Sequence, residues 1–375
     1  MPHMSRIGKV SARGAGRGTL IAMSGGVDSS VAAFLIRSLG HDCLGATMRL
    51  FPDEDIGLSP HWPCLSQKNI DDAASVARLL GIPHEVLDLT VEFRQKVIEK
   101  FIRTYEAGGT PNPCIDCNRR LKFGGLLAAA RERGLDSIAT GHYARIGYDR
   151  GSGRYLLKRA ADSSRDQSYV LYTMTQDQLA HTLFPLGEMT KAGVRGIASE
   201  QGFANAGKGD SQDICFVPDG DYAGFIERYT GRTWPPGDFI DREGRVLGSH
   251  RGVIRYTVGQ RKGLGIAAPS PLYVSGIDPE ANTVTLSGGE DLFFRRVLAE
   301  DVNLISVSAI RRPMRVGAKI RYRQREASAT AVQMEDGRLL IDFDEPQRAP
   351  ARGQAAVLYD GDTVVGGGTL CGAIS

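Results

Sequence analysis

Residues 24–30, with the sequence Ser-Gly-Gly-Val-Asp-Ser-Ser, constrain the fold of this chain more than any other stretch. An apolar run precedes them at residues 20–23, and a helix-like run follows at residues 31–39. The pattern predicts a strand, a tight turn and a helix. Gly25 and Gly26 allow the backbone to turn sharply and to approach a ligand closely. Free N–H groups and the positive end of the helix dipole favour an anion over the turn, most commonly a phosphate.

The order of these residues separates the turn from two other phosphate-binding motifs. A Walker A loop has a lysine directly after its second glycine, and no lysine follows the glycines here; the G-x-G-x-x-G pattern is not matched either. The turn resembles the PP-loop of ATP pyrophosphatases, which cleave ATP between the α- and β-phosphates and adenylate a substrate. The alternative is a turn that only caps an ordinary helix, with Asp28, Ser29 and Ser30 as the capping side chains.

Strand-like and helix-like segments alternate after the turn. We predict strands over residues 43–48, 84–89 and 137–140, and helices over residues 66–80, 90–105 and 121–133. Repeated strand–helix units are typical of an α/β domain with an open parallel sheet and helices on both faces. Ligands of such sheets bind beyond the carboxyl ends of the strands, where the turn, Met48 and Gly141 all fall.

The local composition of the sequence changes after about residue 207. Glycine, proline and aspartate separate short segments as far as about residue 270, which predicts a small mixed central domain. From about residue 271, short strand-like segments with turn signals at Asp336-Gly337 and Asp360-Gly361 predict a small all-β barrel or sandwich. We therefore expect a loose basic tail over residues 1–17, a PP-loop domain over 18–206, a central tRNA-contacting domain over 207–270 and a β-barrel over 271–375.

The composition says more about where the protein is located than about what it binds. The net charge of +3 and the pI of about 8.5 indicate nucleic acid only weakly. No apolar run approaches the ~20 residues that span a bilayer, and the basic start lacks the apolar core of a secretory signal. We expect a cytoplasmic protein without membrane contact, whose cysteines are free, catalytic or metal-binding. The six cysteines are Cys43, Cys64, Cys114, Cys117, Cys215 and Cys371.

A Cys-x-x-Cys segment follows a proline-rich loop. Cys114 and Cys117 precede Asn118, which is predicted to cap a helix carrying several cations. A thiol at a helix N-terminus beside cations is expected to have a lowered pKa, as a nucleophile requires. Alternatives are a thioredoxin-like redox pair and half of a zinc site, for which only Cys64 and His61 are further candidates. An iron–sulfur cluster held by Cys114, Cys117 and Cys215 is a third alternative.

Two other segments have an ordinary structural explanation beside a functional one. Cys215 lies between a polar loop and an Ile/Phe pair, so it is either a buried core cysteine or a reactive thiol on a solvated loop. Asp166 begins the segment Asp-Gln-Ser-Tyr-Val-Leu and is predicted to cap a helix there.

The clearest basic cluster lies in the C-terminal part. Its members are Arg311, Arg312, Arg315, Lys319, Arg321, Arg323 and Arg325, with Tyr322 among them. Alternation along a strand predicts that Arg321, Arg323 and Arg325 share one face. Arginine binds phosphates and tyrosine stacks on bases, so the cluster indicates nucleic-acid contact. A second basic stretch covers residues 251–262.

Taken together, these motifs resemble the bacterial tRNA-specific 2-thiouridylase family. The resemblance runs in order through most of the chain and is specific as a combination. It is carried by residues 24–30, 110–113, 117–118, 122–123, 140–143, 166–169, 211–216, 256–265 and 321–324. One departure is Cys114, because many members have aspartate at that position; the role of Cys114 stays open.

The resemblance implies a function and a set of site residues. Such an enzyme would replace the C2 oxygen of a tRNA wobble uridine with sulfur, consuming ATP with Mg²⁺ and giving AMP and pyrophosphate. Cys215 would carry the sulfur as a persulfide received from a sulfur-donor protein, and Cys117 would be its partner thiol, forming a Cys117–Cys215 disulfide. No residue is assigned to a resident metal. The nucleotide would contact Ala22, Met23, Ser24, Gly25, Gly26, Val27, Asp28, Ser29, Met48 and Gly141. The tRNA would contact Asn112, Pro113, Cys114, His142, Arg165, Asp166 and Gln167, and, from the barrel, Arg321, Tyr322 and Gln354.

Two competing functions remain at this stage. One is another PP-loop adenylating enzyme, such as an amidotransferase or ligase acting on a small metabolite. Such an enzyme would need neither two cysteines on separate segments, such as Cys117 and Cys215, nor a basic barrel. An RNA-binding protein with a silent nucleotide site would bind tRNA without releasing AMP.

Overall fold

The computed structural model describes residues 18–51, 67–209 and 214–374. The chain folds into two compact units. The first contains residues up to Val97, residues 114–218 and residues 362–364; the second contains residues 98–113, 219–361 and 365 onward. The expected division at residues 206 and 270 stays a prediction.

The first unit is built on a parallel sheet. The strands of this unit are β1 (Gly18–Ala22), β2 (Asp42–Arg49), β3 (His84–Asp88), β4 (Ser137–Ala139), β5 (Ala144–Asp149), β6 (Arg154–Arg159) and β7 (Thr182–Leu183). Five of them form the sheet in the order β3-β2-β1-β4-β7, and every pairing in it is parallel. Strands β5 and β6 form an antiparallel hairpin outside it. The predicted open parallel sheet is confirmed.

Nine α-helices are found in the described parts of the chain. They are α1 (Val27–Ser38), α2 (Gln67–Leu80), α3 (Thr90–Phe93), α4 (Glu99–Glu106), α5 (Pro113–Cys117), α6 (Leu126–Glu132), α7 (Gln176–Ala180), α8 (Lys191–Glu200) and α9 (Tyr222–Thr230). Two π-helical stretches, Arg94–Ile98 and Asn118–Gly125, join α3 to α4 and α5 to α6. Among the residues that the structure describes, no helix is long and apolar enough to cross a bilayer.

Helices cover both faces of the parallel sheet because its strands are apolar on both sides. In β1, Leu20 and Ile21 are both completely buried although neighbouring side chains point to opposite faces. Ile21 belongs to a core cluster with α1, α2 and α8, from which Leu20 is absent. Helix α6 contacts β1 and β4 and contributes nothing to that cluster, so it covers the other face.

The second unit contains a mixed sheet. Its strands are β8 (Gly237–Ile240), β9 (Val246–His250), β10 (Tyr273–Asp278) and β11 (Thr283–Ser287), in the order β10-β11-β8-β9. The β8–β11 pairing is parallel and the other two are antiparallel. This sheet combines β8 and β9 with β10 and β11, two strands that lie after residue 270, in the stretch that the sequence assigns to the barrel. Helix α9 precedes it, with the Asp221 carboxylate accepting from the Gly224 N–H at 3.0 Å as a cap.

A closed antiparallel barrel completes the C-terminal region, as the sequence predicts. Its strands are β12 (Phe293–Leu304), β13 (Met314–Lys319), β14 (Ala327–Gln333), β15 (Leu339–Arg348), β16 (Ala355–Asp360) and β17 (Thr363–Ile374). They follow the order β12-β15-β14-β13-β16-β17, and pairing of β12 with β17 closes the ring. Gly337 and Gly361 adopt positive φ values of 85° and 57° in turns at the expected positions.

One of the strand-like segments of the C-terminal region covers residues 318–322, and the strand predicted there is wrong beyond Lys319. Strand β13 ends at Lys319, and residues 320–326 form the connection to β14. Arg321, Arg323 and Arg325 therefore lie on a loop and do not share a strand face. The alternating pattern was misleading because its first two residues, Ala318 and Lys319, are the last two of β13, and the pattern continues into the loop without a break.

We expect the folded protein to lose stability as the pH falls below the ordinary histidine pKa. Burial lowers the pKa of His41, His84, His142 and His250 from 6.5. The unfolded chain therefore binds more protons than the folded chain just below that pH, so the free energy of unfolding falls there. Tm measured at about pH 7.5 and about pH 5.5 should be lower at the acid value. A Tm that does not change over this window would contradict the neutral state of these imidazoles.

Candidate active site

The turn between β1 and α1 has one position, Gly25, with no room for a side chain. Gly25 has a φ of +70°, and a Cβ added to it would lie 2.3 Å from the Asn69 carbonyl oxygen in α2. Gly26 is extended and stands at the N-cap of α1 without a capping side chain. The Gly-Gly pair therefore lets α2 pack directly against the turn and leaves the first N–H groups of α1 without a capping acceptor.

Serine hydroxyls hold this turn in shape. The Ser29 hydroxyl donates to the Gly26 carbonyl at 2.9 Å and accepts from both the backbone N–H and the hydroxyl of Ser24, at 3.1 and 3.2 Å. The Ser30 hydroxyl donates to the same Gly26 carbonyl at 3.0 Å. The side chains predicted as caps or hydroxyl donors thus fix the loop, and the backbone N–H groups are left as the predicted anion-binding surface.

A lysine far along the chain reaches the turn. The Lys191 ammonium lies 2.8 Å from both carboxylate oxygens of Asp28, the second residue of α1. The Tyr143 hydroxyl donates to the same carboxylate at 2.8 Å. Lys191 is 10% exposed at its side chain, whereas Asp28 is 31% exposed. The carboxylate therefore has one side toward protein cations and donors and another toward solvent.

Lys191 is fixed by the start of α8, of which it is the first residue. Thr190 caps that helix by accepting from the Gly193 N–H at 3.2 Å. Lys191 was missed from sequence alone. The available signal was the Thr-Lys pair at a helix start, which by itself is a common cap and says nothing about a ligand.

The segment before Cys215 also contacts the turn. Lys208 donates to the Gly25 carbonyl at 3.2 Å, to Asp72 at 2.9 Å and to the Asn69 side chain. The buried Asn205 amide donates to the Gly25 carbonyl at 3.0 Å and to the Ser30 hydroxyl at 2.9 Å. Both residues were missed as well. They hold the carbonyl side of the turn, which leaves its N–H side for an anion.

Gly141 and His142 follow β4 beside the same turn. A Cβ on Gly141 would lie 2.8 Å from the Asp28 carbonyl carbon, so the backbone is in close contact there. His142 is buried between Phe123 and Phe184, with ring centroids 5.6 and 5.9 Å away, and its Nδ1 is 2.7 Å from the Thr140 hydroxyl. Burial holds the pKa of His142 well below its ordinary value, so the imidazole is neutral and can recognise a base only by neutral hydrogen bonding or stacking.

The expectation of a low pKa for Cys117 is wrong. Helix α5 begins at Pro113, so Cys117 lies inside a continuous helical run and Asn118 does not cap it; the Asn118 amide donates to the Val170 carbonyl at 3.0 Å. Cys117 is 8% exposed. Burial raises its pKa to about 11, and the Lys122 charge only partly opposes this. The start of the helix was misplaced because proline at the first helical position is itself a start signal.

The other cysteines of the candidate site differ in exposure. Cys114 is exposed and Cys215 is half-buried; neither forms a disulfide with another described cysteine. Phe216, next to Cys215, packs edge-on against Phe93 at 5.6 Å. Within residues 18–51, 67–209 and 214–374, no three His, Cys, Asp or Glu side chains are grouped closely enough to hold a metal ion, and the three cysteines of the iron–sulfur hypothesis form no such group. Cys64 and His61 lie outside the described residues.

Residues 165–167 form a loop that packs against Tyr143. The Asp166 carboxylate accepts from the N–H groups of Ala160 and Ser168, both at 3.1 Å. The Gln167 side chain accepts from the Tyr143 N–H at 2.8 Å, while Arg165 is exposed. The predicted helix after Asp166 is a single 3₁₀ turn, Ser168–Leu171.

The second unit contains the remaining predicted tRNA residues. Arg321 donates to the Ala349 carbonyl, and Tyr322 beside it is 39% exposed. The Gln354 amide donates to the Thr110 carbonyl at 2.9 Å, two residues before Asn112. Gln354 therefore positions the loop that carries Asn112 and Pro113 within this unit.

Comparisons with known proteins assign the chain to a family. Residues 18–219 match a family model described as tRNA methyl transferase HUP domain, residues 223–288 its PRC-barrel domain, and residues 294–370 an aminomethyltransferase beta-barrel domain. Curated relatives named tRNA-specific 2-thiouridylase MnmA are 51% identical in Moorella thermoacetica and 50% in Acetivibrio thermocellus. Each alignment covers 94% of this chain and 98% of the relative. The chain belongs to the tRNA-specific 2-thiouridylase family.

A third relative of the same name, from Clostridioides difficile, is 47% identical over 94% of this chain and 97% of its own length. Among solved structures, a 4-thiouridine synthetase–RNA complex with bound ATP is 18% identical, covers 58% of this chain and 54% of its own, and gives a TM-score of 0.36. That similarity is too low to support an inference. Assignment to the 2-thiouridylase family therefore depends on sequence identity over nearly the whole chain.

Replacement of Gly25 by alanine should destabilise this member of the 2-thiouridylase family more than the same change at Gly134. Both glycines have a φ of +70°, so both variants incur the ~1–2 kcal/mol cost of a left-handed alanine. Only at Gly25 does the new Cβ also meet backbone, because nothing lies within 4 Å of the Gly134 position. Urea denaturation should give a clearly larger loss of unfolding free energy for Gly25→Ala, and equal losses would contradict the close contact with α2.

Alkylation should reveal the raised pKa of Cys117. With a pKa of about 11, roughly one Cys117 thiol in several thousand is ionised near pH 7.5. Iodoacetamide labelling followed by peptide mass spectrometry should therefore show a Cys117 rate that keeps rising about tenfold per pH unit beyond pH 9. Exposed Cys114, three residues away, provides an internal comparison for reagent access. A Cys117 rate that levels off near neutral pH would contradict the prediction.

Proposed function

We propose that this protein is a tRNA-uridine 2-sulfurtransferase, which replaces the C2 oxygen of the wobble uridine with sulfur at the expense of ATP. The observation that supports it most is the preformed PP-loop turn, with two glycines, three serine hydroxyl bonds and the Asp28–Lys191 pair, in a chain about half identical to proteins named tRNA-specific 2-thiouridylase. The reaction would take place in the cytoplasm, where its tRNA substrate is available.

The first step would be adenylation of the uridine. An amide-like carbonyl oxygen is a poor leaving group, and transfer of AMP to it makes it a good one. The first N–H groups of α1 would bind phosphate oxygens in this step, and the close approach of Gly141 to Asp28 leaves backbone rather than side chains beside the nucleotide. Holding ATP and base in line supplies much of the rate through proximity.

Asp28 fits a magnesium ligand by its chemistry. Mg²⁺ takes carboxylate oxygens and substrate phosphates, and the Asp28 carboxylate is about one-third exposed beside the turn. When bound, Mg²⁺ would neutralise charge on the phosphates. Tyr143, by donating to Asp28, would orient that carboxylate.

The second step would be sulfur transfer through the two cysteines. The terminal sulfur of a Cys215 persulfide would attack C2, and AMP would leave with the original oxygen. The Cys117 sulfur would then attack Cys215 Sγ, so that the S–S bond breaks, the transferred sulfur keeps the electron pair as the thiocarbonyl, and a Cys117–Cys215 disulfide forms. A thiol reductant would restore both thiols, and a sulfur-donor protein carrying a persulfide would reload Cys215.

The raised pKa of Cys117 fits a resolving role. A buried thiol that stays protonated does not attack the Cys215 persulfide prematurely, and it becomes a nucleophile only when its proton is removed in the course of resolution. Cys114, which is exposed, is left for contact with tRNA together with Asn112, Pro113, His142 and residues 165–167; the barrel would add Arg321, Tyr322 and Gln354.

Nucleoside mass spectrometry tests the function directly. Anaerobically purified protein incubated with tRNA, ATP, Mg²⁺ and a persulfide donor should give 2-thiouridine and AMP. Cys117→Ser and Cys215→Ser should abolish the product, because each removes one end of the disulfide. Cys43→Ser is the matched control. Cys43 is buried, and its thiol donates to the His41 carbonyl at a distance of 3.3 Å, so it has no part in the proposed sulfur transfer.

The same experiment separates the alternatives. Product that appears only in iron-loaded samples would favour a cluster held by Cys114, Cys117 and Cys215. A methylated nucleoside formed with S-adenosylmethionine would favour the activity that the HUP-domain description names. ATP cleavage without any modified nucleoside would favour another PP-loop adenylating enzyme.

A further inference from the structure

The PP-loop turn of this protein lacks a cation of its own. Residues 24–30 include no lysine or arginine. Cleavage of ATP between the α- and β-phosphates leaves a pyrophosphate that carries several negative charges, and preorganised donors at a developing charge are among the largest contributions to catalysis. A positive group is therefore required at the mouth of the turn, and it has to come from elsewhere in the chain.

In the part of the chain that the structure describes, two lysines reach the turn, and they approach opposite sides of its backbone. Lys208 binds the Gly25 carbonyl oxygen and is further held by Asn69 and Asp72. A carbonyl oxygen marks the side of a peptide that repels phosphate, so Lys208 stabilises the loop from behind. Lys191 instead contacts the side chain of Asp28, which lies in the first turn of α1, where the unbonded N–H groups are.

The position of Lys191 is fixed before any nucleotide binds. Its side chain is 10% exposed, and its ammonium is 2.8 Å from each Asp28 oxygen and 6.0 Å from the centre of the Tyr143 ring. The backbone of Lys191 is held by the Thr190 cap and by a 3.4 Å hydrogen bond from its N–H to Asp162. A buried ammonium that loses its counter-charge is strongly destabilising, so Lys191 needs one anion or another at all times.

We propose that Lys191 is the phosphate-binding lysine of this site and that it exchanges Asp28 for the β- and γ-phosphates of ATP. Asp28 is the natural ligand of the divalent cation that accompanies ATP, so binding of the nucleotide frees Lys191 at the moment phosphate arrives. Both charges stay paired throughout the exchange. The inference depends on the proposed use of ATP, and it adds a catalytic residue that the PP-loop motif does not contain.

The exchange predicts which ligands depend on Lys191. ATP and pyrophosphate carry the phosphates that Lys191 would contact, whereas AMP carries only the α-phosphate. Replacement of Lys191 by methionine removes the charge and keeps the aliphatic chain. Because loss of a hydrogen bond to a charged group weakens binding substantially, ATP affinity should fall by about 10- to 100-fold. AMP affinity should change by less than about twofold.

Equilibrium binding of ATP and of AMP, each with Mg²⁺ and without tRNA, tests the proposal on the full-length protein. Selective loss of ATP affinity in Lys191→Met supports it, and equal effects on ATP and AMP, or no effect on either, overturn it. Lys158→Met is the matched control, because Lys158 is paired with Asp362 at 3.3 Å in the same unit and should alter neither affinity. If Lys191→Met does not fold, Lys191→Gln keeps an N–H donor for Asp28 and makes the same comparison.

The experiments distinguish failure of the Lys191–phosphate contact from failure of the proposed sulfurtransferase function. Wild-type protein that binds ATP more tightly than AMP through Lys191, but forms no 2-thiouridine, would support the phosphate contact and reject the sulfurtransferase. Wild-type protein that forms 2-thiouridine, with a Lys191→Met variant whose ATP and AMP affinities are unchanged, would reject the phosphate contact alone.

Discussion

The contact between the β1–α1 turn and helix α2 is the constraint on which the rest of the site depends. The Asn69 carbonyl occupies the space of a Cβ at Gly25, so the turn and the helix can pack only if that residue is glycine in a left-handed conformation. This packing directs the turn's carbonyl groups toward Lys208 and Asn205 and keeps the start of α1 available. Because the backbone itself would be the binding surface, its shape has to be fixed by neighbours rather than by flexible side chains.

The pKa of Cys117 is shifted in the opposite direction from the one that the sequence suggests. A cysteine beside arginines and a lysine suggests a stabilised thiolate, but burial of Cys117 outweighs the charge of Lys122 and raises its pKa to about 11. Desolvation acts at contact distance on the whole sulfur, whereas a cation helps only where it is held close to the sulfur in a dry environment. In the proposed sulfur transfer, a protonated resolving thiol would protect the persulfide from early attack, which a permanently ionised one would not do.

Much of the fold and part of the site could be predicted from sequence. Apolar runs such as residues 20–23, followed by glycine and a helical period, give the parallel sheet because both signals are local. The all-β character of the C-terminal region was predictable from Asp-Gly turns at positions 336 and 360 for the same reason, whereas its closure depends on the distant pairing of β12 with β17. Errors arose where two local signals competed, as at Pro113 and Asn118, or where alternation continued past a strand end, as at Arg321.

Lys191 illustrates what no local pattern could provide. It lies 163 positions from Asp28 in the chain, and its neighbours in sequence read as an ordinary capped helix. Only the sheet order, which places β4 beside β1 and brings α8 against α1, puts its ammonium at the turn. Asn205 and Lys208 are missed for the same reason.

The segment from Lys191 to Cys215 connects the two halves of the proposed chemistry. Lys191, Asn205 and Lys208 all bind the PP-loop or its first helical turn, and Cys215 stands seven positions after Lys208. A chain of that length extends at most about 25 Å, so Cys215 cannot lie farther than that from Lys208. The residues that hold the turn and the cysteine that would carry sulfur in the proposed reaction therefore belong to one short stretch of the chain.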